Sequence, residues 1–478
     1  MFQQYINGKI VEGKGAIFDV FNPANDEVAG QVCAADSGQA TEALEAADRA
    51  FDSWRNLSLN QRLSWMQKLR NAFLAESDKI VELVSCEIGK PIGQAKAEMD
   101  YLINCFDFYM NEARVMTGEV LSGLDDALGD GFHHIYYQPV GVTVGHLAWN
   151  FPLHNAGLKM GPALASGCTL VLKPSSKSPL SALYLGEIAA GIGFPAGVLN
   201  IISGPSSTVA KTLNQSRIPR LITLIGSSET GLQVMQEGAT NIKQYSLELG
   251  GNTPFIVAPD ADIDAAASFT VMRKTRFSGQ GCGSINRVYV HESVHDEYVQ
   301  KVLNGLSKVN LAWGAEYTSP SDMGPVIDHA SRDRLFAMIE DAKNKGANLL
   351  FGGDIPAKWP KGSWINPTLL DDVTDDMDIV HNEIFGPVIS VLTYTDFDEM
   401  IKRANNTSYG LTSYLFSHDM RLIAKCTKDL AFGEVLVNAP PIGVNMPHIG
   451  IKESGIGCDG SKYSFREYFQ MKRVSIKP

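Results

Sequence analysis

Residues 39–116 carry apolar side chains three and four positions apart: Ala43, Leu44 and Ala47, then Leu63, Met66, Leu69 and Phe73, then Ile80, Leu83 and Val84. That spacing predicts a layer of amphipathic helices, broken where Asn, Gly and Pro intervene. From 139 to 258 the pattern changes to short apolar runs at 140–148, 169–172, 198–202, 221–225 and 245–249, separated by helix-like stretches such as 180–190. Alternation of this kind predicts βαβ units, a parallel sheet and helices on both faces. A second alternating block spans about 254–438, with helical stretches at 296–307 and 332–345 and apolar runs at 388–392 and 411–416. Two pieces, 119–138 and 461 to the end, are polar and strand-like, and arms of this kind often pair with another subunit.

The chain has 478 residues, of which 44% are hydrophobic and 20% charged, too many for a single hydrophobic core. Two sizeable α/β units are therefore expected. A net charge of −12 leaves no basic surface for nucleic acid or anionic membranes. The first ten residues lack a basic region followed by an apolar core, and nowhere do eighteen apolar residues run uninterrupted, so a cytoplasmic location is expected. Seven cysteines stand singly at 33, 86, 105, 168, 282, 426 and 458, without the pairs of a zinc site or the density of a disulfide framework.

Chemistry concentrates in three segments. In Gly279-Gln280-Gly281-Cys282-Gly283, glycines beside the thiol let the backbone approach a bound carbonyl, which suits a nucleophile and equally a cysteine buried in a tight turn. In Leu247-Glu248-Leu249-Gly250-Gly251-Asn252, a carboxylate lies between two leucines at a strand end, where desolvation raises it toward the range of a general base. In Trp149-Asn150-Phe151-Pro152, an amide side chain stands after an apolar strand, where its NH2 is placed to hold an oxyanion. No H-E-x-x-H or carboxylate cluster points to a metal.

Together these segments resemble the aldehyde dehydrogenase superfamily: Asn150 in A-W-N-F-P, Lys159 nine residues on, Lys173 in L-K-P-S, Gly226 and Gly231 in I-G-S-S-E-T-G, Glu248 in L-E-L-G-G-N, Cys282 in G-Q-G-C, and Glu383 to Pro387 in E-I-F-G-P. The likeness runs to K-E-S-G-I-G at 452–457, and 34 residues separate Glu248 from Cys282, as in the family. It implies a Rossmann-like dinucleotide-binding domain (1–119 and 140–249), a second α/β catalytic domain (250–445) and a small β oligomerisation arm (120–139 and 461–478) in a homodimer or homotetramer. It also implies oxidation of an aldehyde to the acid by way of a Cys282 thiohemiacetal and thioester, with Asn150 and the Cys282 N–H on the oxyanion and Glu248 activating water. Lys159 and Asp459 match positions proposed to relay the proton away, Asp459 standing where a Glu is usual.

The same resemblance implies NAD(P)+ as cofactor, bounded by Ala148, Trp149, Lys173, Ser175, Ser176, Gly226, Ser227, Gly231, Leu249, Glu383 and Phe385. Gly191-Ile192-Gly193 follows a helix and precedes Pro195, so it reads as a turn, and the pyrophosphate is expected at the helix N-terminus near 227–229. Many NAD-preferring relatives carry a Glu three residues after the lysine of the K-P motif. Here Ser176 stands there, with Lys173 and Lys177 nearby, so NADP+ acceptance is expected, the alternative being a clash elsewhere that leaves NAD+ preferred.

Arg276 lies six residues before Cys282, where relatives acting on succinate semialdehyde carry an arginine, which implies a short anionic aldehyde. His154 and Asn155 are further substrate candidates, whereas Leu158 replaces the second arginine of a close succinate semialdehyde relative. The stretch 457–472 is similar to both the succinate semialdehyde and the lactaldehyde or glycolaldehyde branches, so anionic and hydroxylated short aldehydes all fit. Phe277 begins the N-x-G-Q-x-C signature, Gly281 is unusual before the nucleophile, and Cys458 replaces an Arg as either a bland or an oxidisable thiol. A coenzyme A-acylating enzyme is the alternative activity, against which Glu248 argues. A non-catalytic role would not need Cys282, Glu248 and Asn150 together.

Overall fold

The computed structural model describes residues 1–121, 131–317, 319, 322–439 and 443–477. Two antiparallel pairs open the chain, β1 (Gln4–Ile6) with β2 (Lys9–Val11) and β3 (Ile17–Phe21) with β4 (Val28–Cys33). The helical layer follows as α1 (Ser37–Arg55), α2 (Leu59–Ala75), α3 (Ser77–Ile88) and α4 (Ile92–Val115). Local chemistry sets its ends. The Asp36 side chain caps α1, Ser58 and Gln61 form a capping box on α2, and Gly89 ends α3 at a φ of 67°.

The next elements are β5 (Glu119–Leu121), β6 (Phe132–Pro139), β7 (Val142–His146), α5 (Pro152–Ser166), β8 (Thr169–Lys173), α6 (Leu180–Gly191), β9 (Leu199–Ile201), α7 (Lys211–Gln215), β10 (Leu221–Ile225), α8 (Ser228–Gly238) and β11 (Gln244–Glu248). A second series runs β12 (Thr253–Val257), α9 (Ile263–Thr275), β13 (Ile285–His291), α10 (His295–Leu306), α11 (His329–Asn344), β14 (Asn348–Phe351), β15 (Thr368–Asp371), α12 (Asp378–His381), β16 (Val388–Tyr394), α13 (Phe397–Asn405), β17 (Thr412–Phe416), α14 (Met420–Asp429) and β18 (Glu434–Val437). The chain closes with β19 (His448–Ile449), β20 (Gly455–Ile456), β21 (Cys458–Asp459), α15 (Ser461–Arg466) and β22 (Phe469–Ile476).

Among the described residues, one sheet has the order β2-β1-β9-β8-β7-β10-β11-β20 and a second the order β14-β15-β16-β13-β12-β17-β18. In the first, β9, β8, β7, β10 and β11 are parallel, and β1 and β20 add antiparallel edges. In the second, only β14 is antiparallel. The inner strands β7, β8, β10, β12 and β17 are buried at every position, which is why they read as continuous apolar runs. A small sheet, β22-β6-β5, stands apart from both.

Two expectations change. The stretch from 461 is not extended throughout: 461–466 form α15, whose Ser461, Ser464 and Phe465 are buried, and only the following residues pair with β6. The first arm is strand at β5 and β6, and the part of it at 122–130 lies outside the described residues.

Packing of α4 against α5 fixes the base of the site. A Cβ on Gly161 of α5 would lie 2.6 Å from the Tyr109 ring of α4, and one on Gly157 would lie 3.1 Å from Cys105 Cβ. That close approach brings buried Glu98 of α4 to the start of α5, where its Oε1 accepts hydrogen bonds from Leu153 N (2.7 Å) and His154 N (3.3 Å).

Candidate active site

The three segments singled out in the sequence meet between the two sheets. Asn150 follows β7, Glu248 ends β11, and Cys282 sits between α9 and β13. Before the sulfur, Phe277, Ser278 and Gly279 take left-handed φ values of 45°, 55° and 68°. Only glycine fits the last without strain, since a Cβ there would lie 2.4 Å from Gly386 O. Hydrogen bonds from outside hold this bend: Phe277 N donates to Gln94 Oε1 (2.8 Å), Ser278 Oγ to Gly324 O (2.6 Å), and Ile327 N to Gln280 Oε1 (2.8 Å). Gly281 is under no such constraint, a Cβ there meeting only the Phe151 ring at 3.7 Å, whereas a Cβ on Gly251 would lie 2.7 Å from Cys282 O.

Asn150 is buried, with its Nδ2 donating to Gln280 O (3.1 Å) and its Oδ1 without a partner among the described residues. Its backbone oxygen accepts from Lys90 Nζ (2.7 Å), and Lys90 in turn pairs with Glu98 while lying 3.8 Å from the Phe151 ring centroid and 4.1 Å from that of Phe277. Burial pulls Lys90 down to about 8, against the opposing pull of Glu98. Lys159 Nζ and Asp459 Oδ1 form a buried pair at 2.5 Å, and Asp459 Oδ2 has no partner among the described residues.

Sequence reasoning missed two residues here. His448 places Nε2 at 3.4 Å from Cys282 Sγ and 3.3 Å from Glu248 Oε1, and its Nδ1 at 2.7 Å from Glu434 Oε1. A Glu248 carboxylate oxygen, the Cys282 sulfur and a His448 ring nitrogen all lie within 4.8 Å of one another. Burial and the Glu248 carboxylate push the Cys282 thiol up to about 11, and His448 pulls it the other way. Burial also works against charge on His448, but Glu434, Cys282 and Glu248 outweigh it and hold the imidazole well above its ordinary range. The only local signal was a histidine in P-H-I-G just before the K-E-S-G tail.

Two cavities meet at this point. One, of about 280 Å³, holds Cys282, Asn150, Glu248, His448, Arg276 and His154 among its walls, with Asn155 and Leu158 also lining it. Arg276 makes no side-chain hydrogen bond or ion pair among the described residues; burial and neighbouring Arg273 pull it below its ordinary range. His154 stacks on Tyr101 with ring centroids 3.7 Å apart, and burial drives it down to about 3, so it is neutral. Asn155 is tied down, its Nδ2 donating to Ala148 O (3.2 Å). Cys458 lines neither cavity, and burial, Glu467 and Asp459 push its thiol up to about 12, the behaviour of a bland thiol.

The other cavity, a cleft of about 400 Å³, shares Asn150, Glu248 and Cys282 with the first. Ala148, Trp149, Lys173, Ser175, Ser176, Gly226, Ser227, Leu249, Glu383 and Phe385 line it. Gly231 does not: it is buried under Leu249, where a Cβ would come within 2.7 Å, so it lets α8 settle on the end of β11.

The donor set suits a dinucleotide. Lys173 is buried with only Pro174 O at 3.4 Å, and burial pulls it down to about 8. Ser227 caps the N-terminus of α8 at the cleft wall. Phe385, at a φ of 47°, sets its ring 5.5 Å from that of Trp149. Lys177 is engaged elsewhere, pairing with Asp328 at 2.6 Å.

Residues 10–474 match the model of the aldehyde dehydrogenase family. The chain is 37% identical to glutarate-semialdehyde dehydrogenase of Pseudomonas putida over 476 residues, covering 99% of this chain and 97% of the relative. It is 35% identical to succinate-semialdehyde dehydrogenase [NADP(+)] of Escherichia coli, with the same coverage. A solved structure of 3,6-anhydro-L-galactose dehydrogenase superposes with a TM-score of 0.95 at 33% identity, covering 100% of both chains.

Proposed function

This chain belongs to the aldehyde dehydrogenase family, and on that premise we propose that it oxidises a short anionic aldehyde to the carboxylic acid, with Cys282 as the nucleophile. It is an oxidoreductase acting on aldehydes with NAD(P)+. The observation that carries the assignment is the position of Asn150, Glu248 and Cys282 in the walls of both cavities, so that a carbonyl in one meets a dinucleotide in the other at the sulfur.

Cys282 Sγ attacks the aldehyde carbon, and the oxygen is held by Asn150 Nδ2 and the Cys282 N–H. A nicotinamide held in the cleft would supply the hydride acceptor for oxidation to the thioester. Glu248 then takes a proton from water, which attacks the thioester and releases the acid and the sulfur. The Lys159 and Asp459 pair moves that proton away from the site. Lys173 and the first turn of α8 would hold the ribose and pyrophosphate. Ser176, small and neutral at the cleft wall, leaves room for a 2′-phosphate, and the NADP+-dependent relative supports acceptance of NADP+.

Arg276 supplies the charge that selects the substrate, since an unpaired guanidinium beside the nucleophile favours a distal carboxylate. The semialdehyde relatives support this class. We assign 1–119 with 140–249 to the dinucleotide-binding domain, 250–445 to the catalytic domain, and 120–139 with 461–478 to an arm that pairs subunits.

Steady-state rates on succinate semialdehyde, glutarate semialdehyde, lactaldehyde and propanal test the reading, with wild type beside Arg276→Ala. The variant is expected to raise KM for the two semialdehydes by at least about tenfold, the loss of a charge-assisted pair, and to change propanal by less than about twofold. Equal effects on all four would overturn the anionic assignment, and product that appears only when coenzyme A is added would overturn the hydrolytic one.

A further inference from the structure

The ring of His448 stands between the two groups to which the reading above gives the chemistry, and both of its nitrogens are engaged. Nδ1 faces Glu434 Oε1 at 2.7 Å, and the other oxygen of that buried carboxylate accepts from Thr412 Oγ1 at 2.7 Å. A carboxylate on Nδ1 fixes the tautomer and plane of an imidazole and leaves Nε2 to act elsewhere. Here Nε2 meets Cys282 Sγ at 3.4 Å and Glu248 Oε1 at 3.3 Å. The backbone reinforces this placement: Glu434 opens β18, and His448 in β19 pairs with Asp459 of β21.

We infer that His448, oriented by Glu434, is the positioning residue of the nucleophile: its ring supplies the positive charge that stabilises the Cys282 thiolate and tethers Glu248 beside the sulfur. The inference rests on Cys282 being the nucleophile. An arrangement of sulfur, imidazole and orienting carboxylate follows the logic of a Cys–His–acid triad, assembled here from residues 282, 448 and 434.

The charges around the ring agree. Besides Cys282, Glu248 and Glu434, the ring acts on Tyr101 of α4, His154 of α5, Tyr414 of β17 and Cys458 of β21, and Asp459, its backbone partner, lines the same cavity. All four are neutral near pH 7, because burial pushes both tyrosines and Cys458 up and His154 down. Two carboxylates, Glu434 and Glu248, meet the ring nitrogens, and Arg273 and Arg276, which line the same cavity, make no hydrogen bond to the ring among the described residues. Of the groups acting on the sulfur, burial and Glu248 oppose the thiolate and His448 favours it.

The step balances. The thiol proton leaves to solvent as the thiolate forms beside the charged ring, sulfur then forms the C–S bond, and the carbonyl π pair moves to oxygen. His448 keeps its proton throughout, and the sulfur expelled in deacylation returns to the same ring.

Alkylation of the holoprotein by iodoacetamide without aldehyde, read by mass spectrometry of the peptide containing Cys282 across pH, tests the inference, because the thiolate is the reacting form. In His448→Gln the midpoint is expected to move up by about one pH unit or more, so that alkylation at pH 7.5 slows about tenfold. Glu434→Gln, which keeps the imidazole, should shift it the same way by less. Dinucleotide binding followed by fluorescence reports that each variant is folded, and Glu434→Gln decides the matter if His448→Gln is not. Midpoints equal to wild type would overturn the inference. Aldehyde oxidation that survives full alkylation of Cys282 would instead overturn the nucleophile assignment, whatever the midpoints show.

Discussion

Glu248 ends a strand of one sheet and Cys282 stands in the turn before a strand of the other, yet a Glu248 oxygen and the sulfur lie within 4.8 Å, so their roles separate by experiment. Replacing Glu248 with Gln removes the base for water and leaves the sulfur. A burst of reduced nicotinamide approaching one equivalent of enzyme, followed by a steady rate at least about a hundredfold slower, is expected in stopped-flow absorbance. Equal loss of burst and steady rate would assign Glu248 to the first half-reaction as well. Lys173 gives a pH prediction. Its buried ammonium is pulled down to about 8 by burial, so it is charged below that pH and neutral above it. The kcat/KM for NADP+ should therefore fall as pH rises through about 8, and Lys173→Met should start lower and lose that inflection. At this scale Cys282, Glu248 and Asn150 were legible because each sits in a short glycine- or proline-marked segment. His448 and Glu434 were not: the contact of His448 with Cys282 spans 166 residues, and no local pattern encodes it.

Helix α5 shows how an element transmits order to the site. Its first N–H groups are satisfied by Glu98 from α4, and the same Glu98 holds Lys90, which donates to the backbone of Asn150. Glu98→Ala removes one partner of a buried ion pair and the acceptor for the helix N-terminus, at an expected cost of about 3–5 kcal/mol. Chemical denaturation should show this as a lower midpoint, with kcat reduced in the surviving native fraction as Asn150 loses its support. An unchanged midpoint would mean that the pair contributes nothing net to stability. The parallel strands were readable because burial on both faces writes an apolar run. The strands β1 and β2 were not, being three residues long and owing their pairing to β9 and to each other. Similarly, α15 was read as extended because its short polar sequence shows no helical period.

For the whole molecule, β22, β6 and β5 form a sheet that leaves Val120 at 75%, Phe132 at 57% and Met471 at 72% exposed. Apolar side chains held out on this sheet favour a second copy of the chain as their cover. A chain ending at Tyr468 is expected to sediment as a smaller species than the full chain at equal concentration, and an unchanged sedimentation coefficient would remove the arm from the assembly. No helix among the described residues is long and apolar enough to cross a membrane.

By itself the sequence determined the class of chemistry and of fold: an apolar run is a local property of a buried parallel strand, and a thiol, carboxylate or amide is carried by the residue itself. It determined neither which walls those groups share nor what stands behind them. The meeting of the two cavities at Cys282, the unpaired Arg276 beside it and the line from Glu434 through His448 to the sulfur exist only after two sheets close on one another. Contacts across hundreds of residues are set by packing, and packing depends on every element at once.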